Sequence, residues 1–534
     1  MPLLFVACGG GKQSDGERRF FRYNQSAGVS SLDPAFARDQ SNIWVTNQLF
    51  SGLVQLDNSL NIKPSIAESW EVSDDGLRYT FHLRDDVYFH NHEVFPEGKG
   101  RKVTAEDFVF SFNRLIDPAT ASPGAWIFNG RVSESLPPFE AIDEHTFALN
   151  LLAPFPPMMG ILTMQYTYVV PKEAIEKYGR DFRKNPVGTG PFKLVSWREG
   201  NVLIMERNPE FYEFENDKRL PHLDGIRVSF VESKSAEFMD FLQGNLDFVS
   251  GIDAAYVDQM LSSDGNLRNE YEDEIILYKS PYLNTEYLGF LMHELENGKN
   301  KSLQNKKVRQ AINYAIDREE MVRILRNNIG KPANAGMIPA GLPGYDKEKV
   351  KGYTYDPAKA ASLLREAGYP EGRGLGEIVL FTNNAYVDLH TAIENQLQKV
   401  GIPARLDIVP PAFLREMMSR SEAAFFRGSW IADYPDAESY LTMFYSTHTA
   451  PPNYTRFKNE RFDSLYRVAL FETDIEKRIP LYQEMDRIVI EEAPVVPLYY
   501  DEVLRFASPN VKGIEPNPLN LLILKNVYFE DINL

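Results

Sequence analysis

Helix signals and strand signals interleave along this chain from end to end, and that mixture limits the fold more than any single segment does. Arg78-Tyr-Thr-Phe-His-Leu-Arg84 alternates, with Tyr79, Phe81 and Leu83 on one face, the period of a half-buried strand. Further on, the period becomes helical. Thr104 can cap a helix, Asp107 falls at its third position, and Val103 and Phe108 have the spacing of a hydrophobic staple. A second helix is predicted from about Lys306 to Asn327, with Val308, Ala311, Ile312, Ala315 and Ile316 as its buried stripe. A third is bounded by Asp356 as cap, Pro357 in the first turn and Gly368 just past the end. Pro494 and Pro497 border another apolar run, Val495 to Tyr500. No short-period repeat is detectable. The expected class is mixed, α/β or α+β. A length of 534 residues exceeds what one core can organise, so two to four domains are expected.

Charge narrows the partners. With 57 basic and 75 acidic residues the chain carries −18, which argues against nucleic acid and anionic membrane as main partners. No segment reaches the roughly 18 consecutive apolar residues of a membrane helix. A single cysteine, Cys8, cannot form an internal disulfide or a multi-cysteine metal site. Its setting, Leu3-Leu-Phe-Val-Ala-Cys8-Gly-Gly-Gly, resembles the end of a bacterial lipoprotein signal, in which the cysteine is acylated. Residues 1–8 are accordingly expected to be a signal remnant, with Cys8 as a lipid anchor. Two features depart from that pattern: Phe5 stands where Leu is commoner, and no basic region precedes the apolar run.

The most informative segment for function is Phe425-Phe-Arg-Gly-Ser-Trp-Ile-Ala-Asp-Tyr-Pro-Asp436. Arg427 and Asp433 bracket an apolar and aromatic run at an even spacing, so in an extended segment both project to one face. That would suit a ligand with a positive end and a negative end; a buried strand with two solvated charges is the plainer alternative. Six residues span roughly 20 Å at about 3.3 Å each, whereas a dipeptide is only about 7 Å long. A ligand meeting both charges would have three to five residues.

Several stretches together resemble one family. They are Ala67-Glu-Ser-Trp-Glu-Val to Val87-Tyr-Phe-His90, Val103-Thr-Ala-Glu-Asp-Phe-Val-Phe-Ser-Phe112, Gly188-Thr-Gly-Pro-Phe-Lys193, Leu223-Asp-Gly-Ile226, Val308-Arg-Gln-Ala-Ile-Asn-Tyr-Ala-Ile-Asp-Arg318 and the 425–436 segment. In order and spacing they look like the extracellular solute-binding proteins of family 5, the dipeptide- and oligopeptide-binding components of ATP-driven importers. The resemblance runs from about Ser31 to Tyr500.

The resemblance implies an α/β, bilobed periplasmic-binding-protein-like fold of class II, with an extra α+β domain inserted in the first lobe. Residues 9–55, 190–280 and 506–534 would form the first lobe's core domain, 56–189 the extra domain and 281–505 the second lobe. It implies a monomeric, non-enzymatic, extracytoplasmic receptor without cofactor that hands short peptides to an ABC-type permease. Trp430-Ile-Ala-Asp433-Tyr434 matches the segment whose aspartate binds the ligand's amino terminus in related oligopeptide binders. Arg427 matches an arginine near the ligand carboxylate in some relatives. Ser429 and Ile431 would pair with the ligand backbone. The strand after Leu32-Asp33-Pro34 would set Arg38 to Gln40 opposite the ligand; a basic residue at Arg38, where oligopeptide binders can carry an acid, departs from the pattern.

Rival readings stay open at this point. His90-Asn-His92 puts two imidazoles on one face, a possible transition-metal pair without a third ligand nearby. Nickel chelates, haem and oligosaccharides are alternative ligands within the same fold. An extracytoplasmic hydrolase is the rival from another class, although no Gly-x-Ser-x-Gly elbow appears and the only thiol is Cys8.

Overall fold

The computed structural model of the chain describes residues 19–296, 298 and 300–530; Cys8 lies outside the described residues. The first described elements are β1 (Phe20–Asn24) and α1 (Gln40–Leu49). An inserted antiparallel sheet follows, made of β2 (Ala67–Val72), β3 (Arg78–Leu83), β4 (Phe139–Asp143) and β5 (Thr146–Asn150) in the order β2-β3-β5-β4. Tyr79, Phe81 and Leu83 of β3 are buried, as the alternation predicts. They pack with Phe108 and Phe112 of α2 (Ala105–Ile116) in one apolar cluster. The start of α2 is set as expected: the Thr104 N–H donates to Asp107 Oδ2 at 2.9 Å.

Ten later strands join β1 in one mixed sheet of eleven. These are β6 (Phe192–Arg198), β7 (Val202–Arg207), β8 (Gly225–Ser229), β9 (Phe248–Ser250), β10 (Ile276–Phe290), β11 (Lys331–Pro332), β12 (Ile378–Thr382), β13 (Ala404–Ile408), β14 (Phe425–Ile431) and β15 (Val495–Ala507). The spatial order is β13-β12-β14-β10-β15-β9-β1-β8-β7-β6, with β11 alongside β15.

Two long strands carry the sheet from one lobe to the other. Ile276–Pro281 of β10 pairs with Glu502–Ala507, near β9; Thr285–Gly289 pairs with Val495–Tyr500, beside β14. The register slips between Pro281 and Thr285. Proline has no N–H to give the ladder, and such an irregularity lets a strand bend. Within the second lobe β14 is buried on both faces at its start. Phe425 packs with Leu288, Phe290 and Val496, and Phe426 with Tyr287, Tyr440 and Tyr482 on the other side.

The third predicted helix is present, and the second is shorter than its stripe suggests. Helix α3 covers only Lys306–Tyr314. The chain is then recapped: Asp317 accepts the Glu320 N–H at 2.9 Å, starting a three-residue helix that continues as a π turn, Met321–Leu325. The break turns Arg318 inward, where its guanidinium donates to Pro497 O at 2.6 Å and Asn313 O at 3.0 Å. In α4 (Pro357–Glu366), Asp356 accepts the Lys359 N–H at 2.8 Å and Gly368 has φ +91°.

Gly188 and Gly190 bring the chain back from the inserted sheet against the end of α1. A Cβ on Gly190 would lie 2.4 Å from the Leu49 carbonyl carbon, and one on Gly188 2.0 Å from its oxygen. Close approach, rather than a turn needing positive φ, demands glycine here. His90 secures the same segment. One ring nitrogen lies 3.0 Å from Gly190 O and the other 3.4 Å from the Gly188 nitrogen. Burial pushes its pKa down to about 4, so the ring is neutral and both nitrogens are engaged by backbone.

Candidate ligand cleft

The cleft is built around the end of β14. Antiparallel pairing with β10 places Ile431 opposite Asn284 and Arg427 opposite Leu288. The Ala432 N–H bonds to Leu283 O and the Leu291 N–H to Ala424 O, both at 2.9 Å. Bonded and non-bonded pairs alternate along such a ladder, so residues 426, 428 and 430 face β10. Arg427, Ser429 and Ile431 therefore turn their N–H and C=O groups to the opposite edge. Strand β12 covers that edge only at Phe425 and Phe426. Among the described residues no strand pairs with it from Arg427 to Ile431.

Beyond the strand, Ser439 holds the turn that carries Asp433. Its hydroxyl accepts the Asp433 N–H at 3.1 Å and its carbonyl accepts the Trp430 indole N–H at 2.6 Å. Tyr440 donates to the Trp430 carbonyl at 2.7 Å. Tyr434 is buried in the apolar cluster of the first lobe, its ring stacked 6.5 Å from that of Trp126. Tyr434 thus ties the second lobe to the inserted domain, while Trp430 positions the turn.

Asp433 opens into a cavity of about 360 Å³ between the lobes, walled by Arg38, Gln40, Trp126, Tyr166, Tyr282 and Ile431. Water reaches the carboxylate, but protein crowds the recess on every side. Lost solvation, with the nearby Glu438 charge adding to it, pushes the Asp433 pKa up to about 6. Among the described residues the carboxylate has no ion pair and no hydrogen-bond donor. The Arg38 side chain is exposed at the cavity wall. Gln40 is anchored, its Nε2 donating to Asn520 O at 3.3 Å.

Arg427 sits elsewhere. Its guanidinium forks onto Glu286, at 2.5 and 3.0 Å, and stacks 3.9 Å above the Tyr386 ring. Glu286 is almost fully buried, its side chain 2% exposed. Burial raises the Glu286 pKa, and Arg427 pulls it back. The two charges that the sequence sets against one ligand are thus differently placed: Asp433 lines the cavity and Arg427 does not.

Residues 61–451 match the family described as "Bacterial extracellular solute-binding proteins, family 5 Middle". The chain belongs to this family. As a family 5 solute-binding protein it resembles Heme-binding protein A of Haemophilus influenzae, at 28% identity over 490 residues that cover 89% of this chain and 85% of that one. It is similar to the Glutathione-binding protein GsiB of Salmonella typhimurium, at 27% identity over 91% of this chain and 89% of that one. Among solved structures it superposes on DppA of Helicobacter pylori in complex with the peptide STSA, with a TM-score of 0.77, 26% identity and coverage of 96% and 98%. These relatives are binding proteins and not enzymes, and family 5 proteins work with ABC permeases.

The family 5 cleft also contains residues that no sequence pattern singles out. Trp126, Tyr166 and Tyr282 come from three separate segments and meet only at the cavity. Burial pushes the hydroxyls of Tyr166 and Tyr282 up to about 12, so both stay protonated and able to donate. Glu286, which decides the fate of Arg427, lies 141 residues away in sequence.

Proposed function

We infer that this receptor captures short peptides with a free amino end. The observation that carries the reading is an unpaired carboxylate, Asp433, in a crowded recess beside an uncovered strand edge. A peptide ammonium supplies the missing charge, since a carboxylate crowded by protein and without a donor gains from an opposite charge. The ligand main chain pairs with Ser429 and Ile431, whose outward N–H and C=O groups suit any peptide backbone. Arg38 and Gln40 face it from the first lobe. The glutathione-binding relatives and the peptide held by the Helicobacter pylori neighbour support a peptide ligand.

Closure is proposed at the irregular ladder of Pro281–Thr285 and Tyr500–Glu502, with the lobes rocking about it. The loaded, monomeric receptor delivers its cargo to an ABC permease from outside the cytoplasm. A lipid anchor at Cys8 is part of this proposal, and loss of lipid labelling in Cys8→Ala tests it. Native mass spectrometry of the purified protein tests the ligand class. A bound mass matching a short peptide supports the reading; bound haem or a nickel chelate overturns it.

A further inference from the structure

A second cavity, of about 800 Å³, adjoins the cleft and shares Arg38 with it as a common wall. It lies between the segment that follows β1 and two parts of the inserted domain, residues 114–123 and 175–183. Such a volume is ample for part of a small ligand. Its charged lining is four arginines, Arg38, Arg114, Arg180 and Arg183, against one acid, Asp33. That balance is the reverse of the chain's overall −18.

Two of the four cations are already engaged. Both terminal nitrogens of Arg114 donate to Asp33, at 3.0 and 2.5 Å, and that pair is nearly buried. Arg183 donates to Glu199 at 2.8 Å. Arg38 and Arg180 are exposed, and neither meets a carboxylate among the described residues. The chamber therefore offers two open guanidinium forks, which match a carboxylate in shape as well as charge. Arg38 stands between this chamber and the cavity that holds Asp433. Opposite charges without partners thus line two cavities that share Arg38 as a wall, in the pattern of a ligand with an amine at one end and acids at the other.

The geometry points to acidic short peptides as the cargo, with the amino end at Asp433 and carboxylates in the chamber at Arg38 and Arg180. This inference rests on the amino-end reading of Asp433. It moves the far-end cation from Arg427, whose fork Glu286 occupies, to the first lobe and its inserted domain.

Isothermal titration calorimetry with Ala-Ala-Ala and Ala-Glu-Glu, on the wild type and on Arg180→Gln, tests it. The wild type should bind Ala-Glu-Glu at least about tenfold more tightly than Ala-Ala-Ala. Arg180→Gln should erase most of that ratio, with the neutral peptide as internal reference for a folded site. Raising salt should shrink the ratio in the wild type. Equal affinities, or a ratio that Arg180→Gln leaves intact, overturn the acidic-cargo inference while the amino-end reading stands. Failure of both peptides to bind overturns both. Inorganic phosphate provides a further arm. Phosphate binding that depends on Arg180, without a preference among peptides, would show a free-anion site and overturn the inference.

Discussion

Protonating or neutralising Asp433 should control ligand capture, and the size of the effect follows from its surroundings. In the empty cleft this acid titrates near 6, because crowding removes solvation and Glu438 adds a like charge. Only the ionised form can hold an ammonium. With a pKa of about 6, roughly 90% of the carboxylate is protonated at pH 5 and nearly all is ionised at pH 8. Peptide affinity should therefore fall about tenfold from pH 7.5 to pH 5, over a range where the peptide amine, with a pKa near 7.7–8.0, is mostly charged. Asp433→Asn keeps the shape and removes the charge. It leaves the ammonium without an opposite charge, a loss of about 1.5–3 kcal/mol at a carboxylate that water still reaches, or roughly ten- to a hundredfold in affinity. The assay is calorimetric titration of one tripeptide across pH for both proteins. The wild type should show the slope; Asp433→Asn should bind weakly with a flat profile over the same range. A wild-type affinity independent of pH, or a variant that retains tight binding, refutes the reasoning.

Further outcomes follow from the same geometry. Arg427→Met should destabilise the fold by about 3–5 kcal/mol in urea unfolding, because it leaves Glu286 buried without its ion partner, and should change peptide affinity far less than Asp433→Asn does. Asp486, whose pKa burial raises to about 7, accepts the Met337 N–H at 2.7 Å. Its folded pKa lies above the unfolded value, so the stability it contributes is present in acid and lost as pH rises through 7. The protein should lose about 2–3 kcal/mol between pH 5 and pH 8, a slope that Asp486→Asn removes in pH-dependent urea melts. Asp356→Ala deletes a helix cap and should reduce stability by about 1 kcal/mol in the same assay.

Local chemistry was legible in the sequence, and pairings over long separations were not. The alternation at Arg78–Arg84, the Thr104 cap and the Asp356-Pro357 start each depend on neighbours a few residues away, and each appears in the structure. The apolar stripe from Lys306 predicts too long a helix because it continues through Ile316; the signal for the break is Asp317, a capping residue, followed by an arginine that turns inward. The crossover strands were hidden by Pro281, which reads as a breaker although it sits in the irregular part of a ladder. In the cleft, Asp433 stood out through its motif. Arg427 looked equally free, since nothing near it in sequence announces Glu286. Arg38 stood out both as a residue set opposite the ligand and as a departure from the family pattern, whereas Arg180, on the same cavity wall but about 140 residues away, carried no signal.

The claim that Asp433 receives the amino end of a peptide is tested most directly by one comparison. Calorimetric titration should be run with Ala-Glu-Glu and with its N-acetylated form, at pH 7.5. The account predicts that acetylation, which removes the charge and leaves the backbone intact, weakens binding at least about tenfold. Equal affinity for the two forms would contradict it.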